Sequence, residues 1–175
     1  MSDLTWTVEE MNDIAESFKK KAKAVFDKDG YHAPMCFLFA TYDFREKKNA
    51  RGVIPMMPES FKDEEAKDNF SGAIREISGR CRAVGLIFLT EMWMVKGGGT
   101  DLEEIRKWAG RIHKHPNRLE GMMMSIEHTR FGSKMFFAPI ERPADNPGKP
   151  SLAPWETSGG TSYSGRFVHL LPQVA

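Results

Sequence analysis

Cysteine is scarce in this chain of 175 residues, which has only Cys36 and Cys81. The chain is long enough to bury most of its apolar surface without covalent staples. Both cysteines fall in or beside apolar segments, where reduced core thiols are expected. No apolar run extends much beyond about a dozen residues, short of the roughly 20 that a bilayer-spanning helix needs. Neither sign of charge dominates: 25 Lys and Arg stand against 24 Asp and Glu, a formal charge of +1. Without a global field, no general attraction to nucleic acid or to an anionic membrane surface is expected. The opening MSDLTWTVEEMND is acidic and polar, unlike a secretory signal. Gly97-Gly-Gly99 is not followed by Lys-Ser/Thr, so no P-loop forms, and no GxGxxG is present. Ser-His-Asp and Cys-His signatures are missing too, neither cysteine is expected to have a His that activates it, and nothing points to a cofactor. These exclusions leave a cytoplasmic, single-domain protein, whose 41% hydrophobic and 28% charged content is ordinary for that class.

What is present is organised around Ala83–Val95, AVGLIFLTEMWMV. An almost unbroken apolar run of this kind reads as a central strand covered on both faces. Before it, Thr7-Val-Glu-Glu10 has capping-box spacing, and Met11, Ile14, Phe18, Ala22, Val25 and Phe26 recur at helical spacing until Asp29-Gly30. Pro34–Thr41 reads as a strand. Gly52–Met57 returns as a second one, short or at an edge because Pro55 and Pro58 lack an amide donor. Ser60-Phe-Lys-Asp63 is a second capping signal, opening an amphipathic helix that stops near Gly79. Thr100–Glu103 caps a short inserted helix carrying Leu102, Ile105, Trp108 and Ile112. Leu119–Arg130 and Lys134–Arg142 flank Phe131-Gly-Ser133 as a hairpin, with Glu120, Met122, Met124, Ile126 and His128 on one face of the first arm. The expectation is an α+β domain over residues 1–142. It has a mainly antiparallel sheet of five or six strands, two long helices on one face and the short inserted helix. Residues 143–175 read as a loosely held Pro/Gly/Ser-rich tail with a last strand at 166–171.

Three polar features bear on function. Glu91 interrupts the central run two residues before Trp93, and Arg118 and Glu120 enter the next long strand. In one reading Glu91 and Arg118 form an ion pair that fixes strand register, with Glu120 solvated. In the other, Glu91 and Glu120 share a poorly solvated site that raises one carboxyl pKa, giving a general acid, with Arg118 stabilising an anion. The second feature is His113-Lys-His115-Pro116, which resembles the His-x-His-Pro of JAMM-type metallopeptidases. The match fails, because Met123 stands where that motif has Ser and no Asp follows, so no metal site is expected. These histidines read as solvent-facing groups at a helix C-terminus. The third is the basic segment 106–118, in which Trp108, Arg111, His113, Lys114 and His115 form a binding surface. Trp108 shares a helical face with Leu102, Ile105 and Ile112, and Asp101, Glu103 and Glu104 dilute the charge. Nucleic-acid binding is therefore the weaker reading.

Asp29-Gly-Tyr-His-Ala-Pro34, Phe88–Val95 and His115-Pro-Asn-Arg-Leu-Glu120 together resemble a family of small uncharacterised bacterial and phage proteins. That family shows a Ser-Glu-Ala-Trp-like strand followed by Pro-x-Arg-x-Glu. The resemblance covers Asp29 to Arg142, departs at Thr90 and Met92, and implies no assigned activity. The functional expectation is a non-enzymatic protein-interaction module, phage-encoded and acting on a host partner, with homodimerisation as an accompaniment. A small hydrolase built on Glu91, Glu120 and Arg118, and a nucleic-acid-binding protein using 106–118, are the alternatives.

Overall fold

The computed structural model describes residues 5–59, 61–95, 107–108, 111–146, 148–157, 166–167 and 169–172. Helix α1 (Val8–Asp29) starts where its sequence signal places it. The Thr7 hydroxyl accepts the Glu10 amide at 3.2 Å, and the Glu10 carboxylate accepts the Thr7 amide at 2.9 Å. Gly30 ends the helix in the left-handed conformation, φ 75°, which costs a glycine little. Strands β1 (Met35–Asp43) and β2 (Lys48–Met56) form a hairpin, and α2 (Glu64–Arg80) follows. Ser60 lies outside the described residues; Asp63 caps α2, accepting the Ala66 amide at 2.7 Å. Then come β3 (Gly85–Val95), β4 (Arg118–His128), β5 (Gly132–Glu141) and two short strands, β6 (Ser151–Leu152) and β7 (Glu156–Thr157).

All the strand pairs are antiparallel, in the order β2-β1-β3-β4-β5-β6 with β7 also on β5. The α+β class and the antiparallel sheet are as the sequence implies, and Pro55 does sit on an edge strand. The helices differ from expectation: they cover opposite faces. Phe39 of β1 and Ile87 and Leu89 of β3 pack in one core with Met11, Ala15, Ala22 and Phe26 of α1. Their neighbours Leu38, Leu86 and Phe88 pack in a second core with Phe70 and Ile74 of α2. Successive strand residues point to opposite faces, so these two cores lie on the two sides of the sheet. A strand apolar on both faces needs cover on both, and helices gathered on one side would leave the other in water. Among the described residues, no helix is long and apolar enough to cross a membrane.

Residues 143–146 and 148–149 are exposed, but further along the segment is anchored to the cores. Leu152 joins the α1-side core, and its amide and carbonyl bond Asp27 and Lys23 of α1 at 3.1 and 2.7 Å. Phe167 stacks on Phe88 with ring centroids 4.6 Å apart, and Leu170 is buried in the α2-side core. The strand expected at 166–171 does not form among its described residues, which make turns and bends. Leu102, Ile105 and Arg106 of the expected inserted helix lie outside the described residues. Lys107 is helical, and Ile112–Lys114 form a 3-10 turn.

Gly121 marks where β4 and β5 press together. A Cβ there would lie 2.1 Å from the Phe137 ring and 2.7 Å from the Ala138 carbonyl oxygen. Moving the ring would not be enough, because the Ala138 oxygen belongs to the backbone of the neighbouring strand. Although Gly→Ala ordinarily stiffens the unfolded chain in the protein's favour, Gly121→Ala is expected to destabilise by about 1–3 kcal/mol, the cost of overpacking. Urea denaturation tests this; an unchanged or higher midpoint would contradict the close approach.

Candidate functional site

The central strand outruns its neighbour. β3 pairs with β1 only between Gly85 and Leu89, and β5 pairs with β4 only from Gly121 onward. Beyond those limits β3 and β4 continue together as a two-stranded ribbon, Trp93 opposite Glu120 and Val95 opposite Arg118. Residues 96–117 connect the two strands at its tip, a far longer connection than the usual hairpin loop of about 2–5 residues. The segment with Trp108, Arg111, His113, Lys114 and His115 belongs to that connection.

The register decides which charges meet. Glu91 lies opposite Met122, and Arg118 lies opposite Val95, about 13 Å of strand further on. Arg118 therefore does not pair with Glu91. Its guanidinium covers the Trp93 ring, 5.3 Å from the centroid, while Nη1 donates to the His115 carbonyl at 3.3 Å. Glu120 is not solvated alone. Arg142, just past β5, donates to both its oxygens at 3.0 and 2.8 Å, a bidentate pair. Glu91 accepts the His32 backbone amide from the segment leading into β1.

The electrostatics follow from this arrangement. Burial, reinforced by the nearby Glu120 carboxylate, pushes the Glu91 carboxyl above its ordinary value, while the His32 amide and Arg142 pull it back. Burial holds the His32 imidazole below its ordinary value. Its Nδ1–H donates to the Ala33 carbonyl at 2.7 Å, which leaves Nε2 as the acceptor. The cluster thus holds a carboxyl raised above its ordinary value, an imidazole lowered below its own, and the bidentate Glu120–Arg142 ion pair. Sequence reasoning found Glu91 and Glu120 but missed His32 and Arg142. Arg142 follows the parity of Phe136, Ala138 and Ile140 on the α1 face, a signal that was there to read.

The basic segment divides in two. Arg111, His113 and Lys114 are exposed. His115 is only 6% exposed, not solvent-facing as its helix-end position implied. Its Nδ1 accepts the Asn117 amide at 3.0 Å, and Trp108 packs edge-on against its ring at 5.0 Å. Among the described residues no three His, Cys, Asp or Glu side chains converge as metal ligands. Cys36 and Cys81 are buried free thiols, with burial raising both pKa values, so neither is a nucleophile at neutral pH.

A second buried carboxyl went unnoticed in the sequence. Glu127 is 5% exposed on the α2 face, where Oε2 accepts the Leu170 amide at 3.0 Å and Oε1 has no hydrogen-bond partner. Burial pushes it up, against the amides of Leu170, His169 and Leu171, which hold it down. It fastens the chain end to the sheet.

Glu91 yields a signed prediction. A carboxyl raised in the folded state binds a proton that the unfolded chain releases, so its contribution falls as pH rises from the ordinary 4.5 through the folded value. Glu91→Gln keeps an oxygen for the His32 amide and removes the charge. The variant's stability relative to the parent should rise across that window and level off above it. Urea midpoints measured at a series of pH values read this directly, and a pH-independent difference would remove the assignment. No protein family, curated protein or solved structure compared with the chain matches it, so the geometry carries the functional reading by itself.

Proposed function

We propose that this protein is a non-enzymatic interaction module whose contact surface is the β3–β4 ribbon with the 96–117 connection at its tip. The observation that supports this is Trp93, 38% exposed on a projecting ribbon with Arg118 laid over its ring. Trp, Tyr and Arg are the side chains that most often dominate binding energy at protein interfaces. Among the described residues, four of the seven exposed large hydrophobic ones (Tyr31, Met57, Trp93 and Leu119) lie at this end of the sheet. The exposed polar residues Arg111, His113 and Lys114 would form a polar rim. The short-motif resemblance to phage and bacterial proteins adds the further proposal that the partner is a host protein. A second copy of the chain is the other candidate.

The hydrolase alternative fits less well. Glu120 is already chelated by Arg142, Arg118 is turned to Trp93, and Glu91 is left without a second free carboxylate. Nucleic-acid binding through 106–118 would want a free aromatic face for stacking, whereas Trp108 is engaged with a buried histidine.

The test is affinity capture from cell lysate with three tagged forms: the parent, Trp93→Ala, and a form with residues 97–117 replaced by a short linker. A partner retained by the parent and reduced by roughly tenfold or more in both variants is expected, the scale of a lost hot spot. Because Trp93 is not a core residue, thermal midpoints should stay within a few degrees of the parent. Equal recovery of every protein by all three forms would end the proposal.

A further inference from the structure

The opposite end of the sheet carries a different surface. At the β1–β2 hairpin a groove of about 320 Å³ opens beside the edge strand, lined by Ala40, Tyr42, Phe44 and the consecutive residues Ala50–Pro55, with Asp43 and Arg45 at its end. Gly52 forms part of its floor. A Cβ at Gly52 would meet nothing within 4 Å, and the residue has no positive φ. Neither tight packing nor a left-handed turn therefore requires a glycine there. Glycine in a strand interior weakens the strand and marks either a bulge, such as the register shift that lies beside Gly52 between Ala40 and Tyr42, or the close approach of another chain or ligand.

The rim is cationic. Arg82 lies 4.3 Å from the Tyr42 ring and Arg80 4.4 Å from the Phe44 ring, whereas Arg51 turns to the α1 face, 3.8 Å from the Trp6 ring. Arg51, Arg80 and Lys48 have carboxylate partners in Glu10, Glu76 and Glu46. Among the described residues, Arg45, Lys47 and Arg82 pair with no carboxylate. Asp43 is the only acidic group in the lining, and its carboxylate is engaged by the Arg45 and Glu46 amides. Arg82, just past the end of α2, holds φ 48°, a left-handed position where glycine or asparagine is cheaper. The chain nonetheless sets an arginine there, over Tyr42.

We propose that this groove docks an extended, acidic segment of a partner protein, which adds along the free edge of β2 and sets an apolar side chain over Gly52. The strand is an edge strand, so its outer amides and carbonyls are open to pairing. Arg45, Lys47 and Arg82 around the groove, which pair with no carboxylate among the described residues, oppose an identical edge from a second copy, because like charges would be brought together, and they favour an acidic segment. A peptide suits the floor better than nucleic acid does. The floor is aliphatic, at Ala40, Ala50 and Ile54, and both aromatic rings already have a face covered by arginine. This surface is remote from Trp93, and the proposal stands independently of the ribbon's role.

Fluorescence anisotropy with the full-length protein tests it, using a labelled peptide that alternates Glu with Val and Leu. The controls are the same peptide with Lys for Glu, and a single-stranded oligothymidine. The Glu peptide should bind, weaken with added salt, and lose roughly tenfold or more in affinity when Gly52→Leu fills the groove or Arg82→Glu reverses its rim. Arg45→Glu, at an exposed turn residue that lines the groove, gives a third variant that should weaken binding in the same direction without touching the core. Equal affinity of parent and Gly52→Leu, equal binding of the Lys peptide, or tighter binding of oligothymidine than of the Glu peptide would each overturn the proposal.

Discussion

The fold depends on burying β3 from both sides. Its residues alternate between two cores, Ile87 and Leu89 toward α1 and Leu86 and Phe88 toward α2. If only one face were covered, the core on the other would stay open to water. The chain meets this demand by crossing over: β2 and β3 lie on either side of β1, and α2 bridges them across one face. α1 takes the other face. The remaining gaps are filled by the segment after β5, Leu152 on the α1 side and Phe167 and Leu170 on the α2 side. A segment that composition marks as irregular thus completes the hydrophobic interior, because apolar burial asks only for side chains in the right place, not for regular backbone.

The same demand explains the unusual carboxyl in the second core. Residues 169–171 form no ladder with the sheet, so their amides need another acceptor. Glu127 supplies it from β4. A carboxylate taken out of water is costly unless paired or hydrogen-bonded, and with Oε1 unpartnered the balance shifts toward the protonated form. The buried Cys36 thiol feels the same charge, which adds to burial in holding its own proton.

The two surfaces at the margins of the cores lie at opposite ends of the sheet. At one end β3 and β4 leave the sheet as a ribbon, where Trp93 is free of the interior and Arg118 shields only part of its ring. At the other, the β1–β2 hairpin extends beyond the cover of α2 and leaves a groove with arginines at its rim. A rigid, doubly covered sheet holds both, which is the usual division between a scaffold and the loops and edges that make contact.

Much of this was legible in the residues themselves. Thr7 and Glu10 announce α1, Gly30 its end, and the apolar run from Gly85 onward its central place; the alternation of Met122, Met124 and Ile126 announces the face they share. These signals are local, encoded by hydrogen bonds within one turn or by a period of two or 3.6 residues. What the sequence left open required distance in the chain to become proximity in space. Glu120 finds Arg142 and not Glu91, Glu91 finds the His32 amide, and Arg118 finds Trp93, because strand register sets which side chains are neighbours. No local pattern says which face a helix will cover, or that the end of the chain will return to close a core. Those were decided when the two faces of β3 had to be taken out of water together.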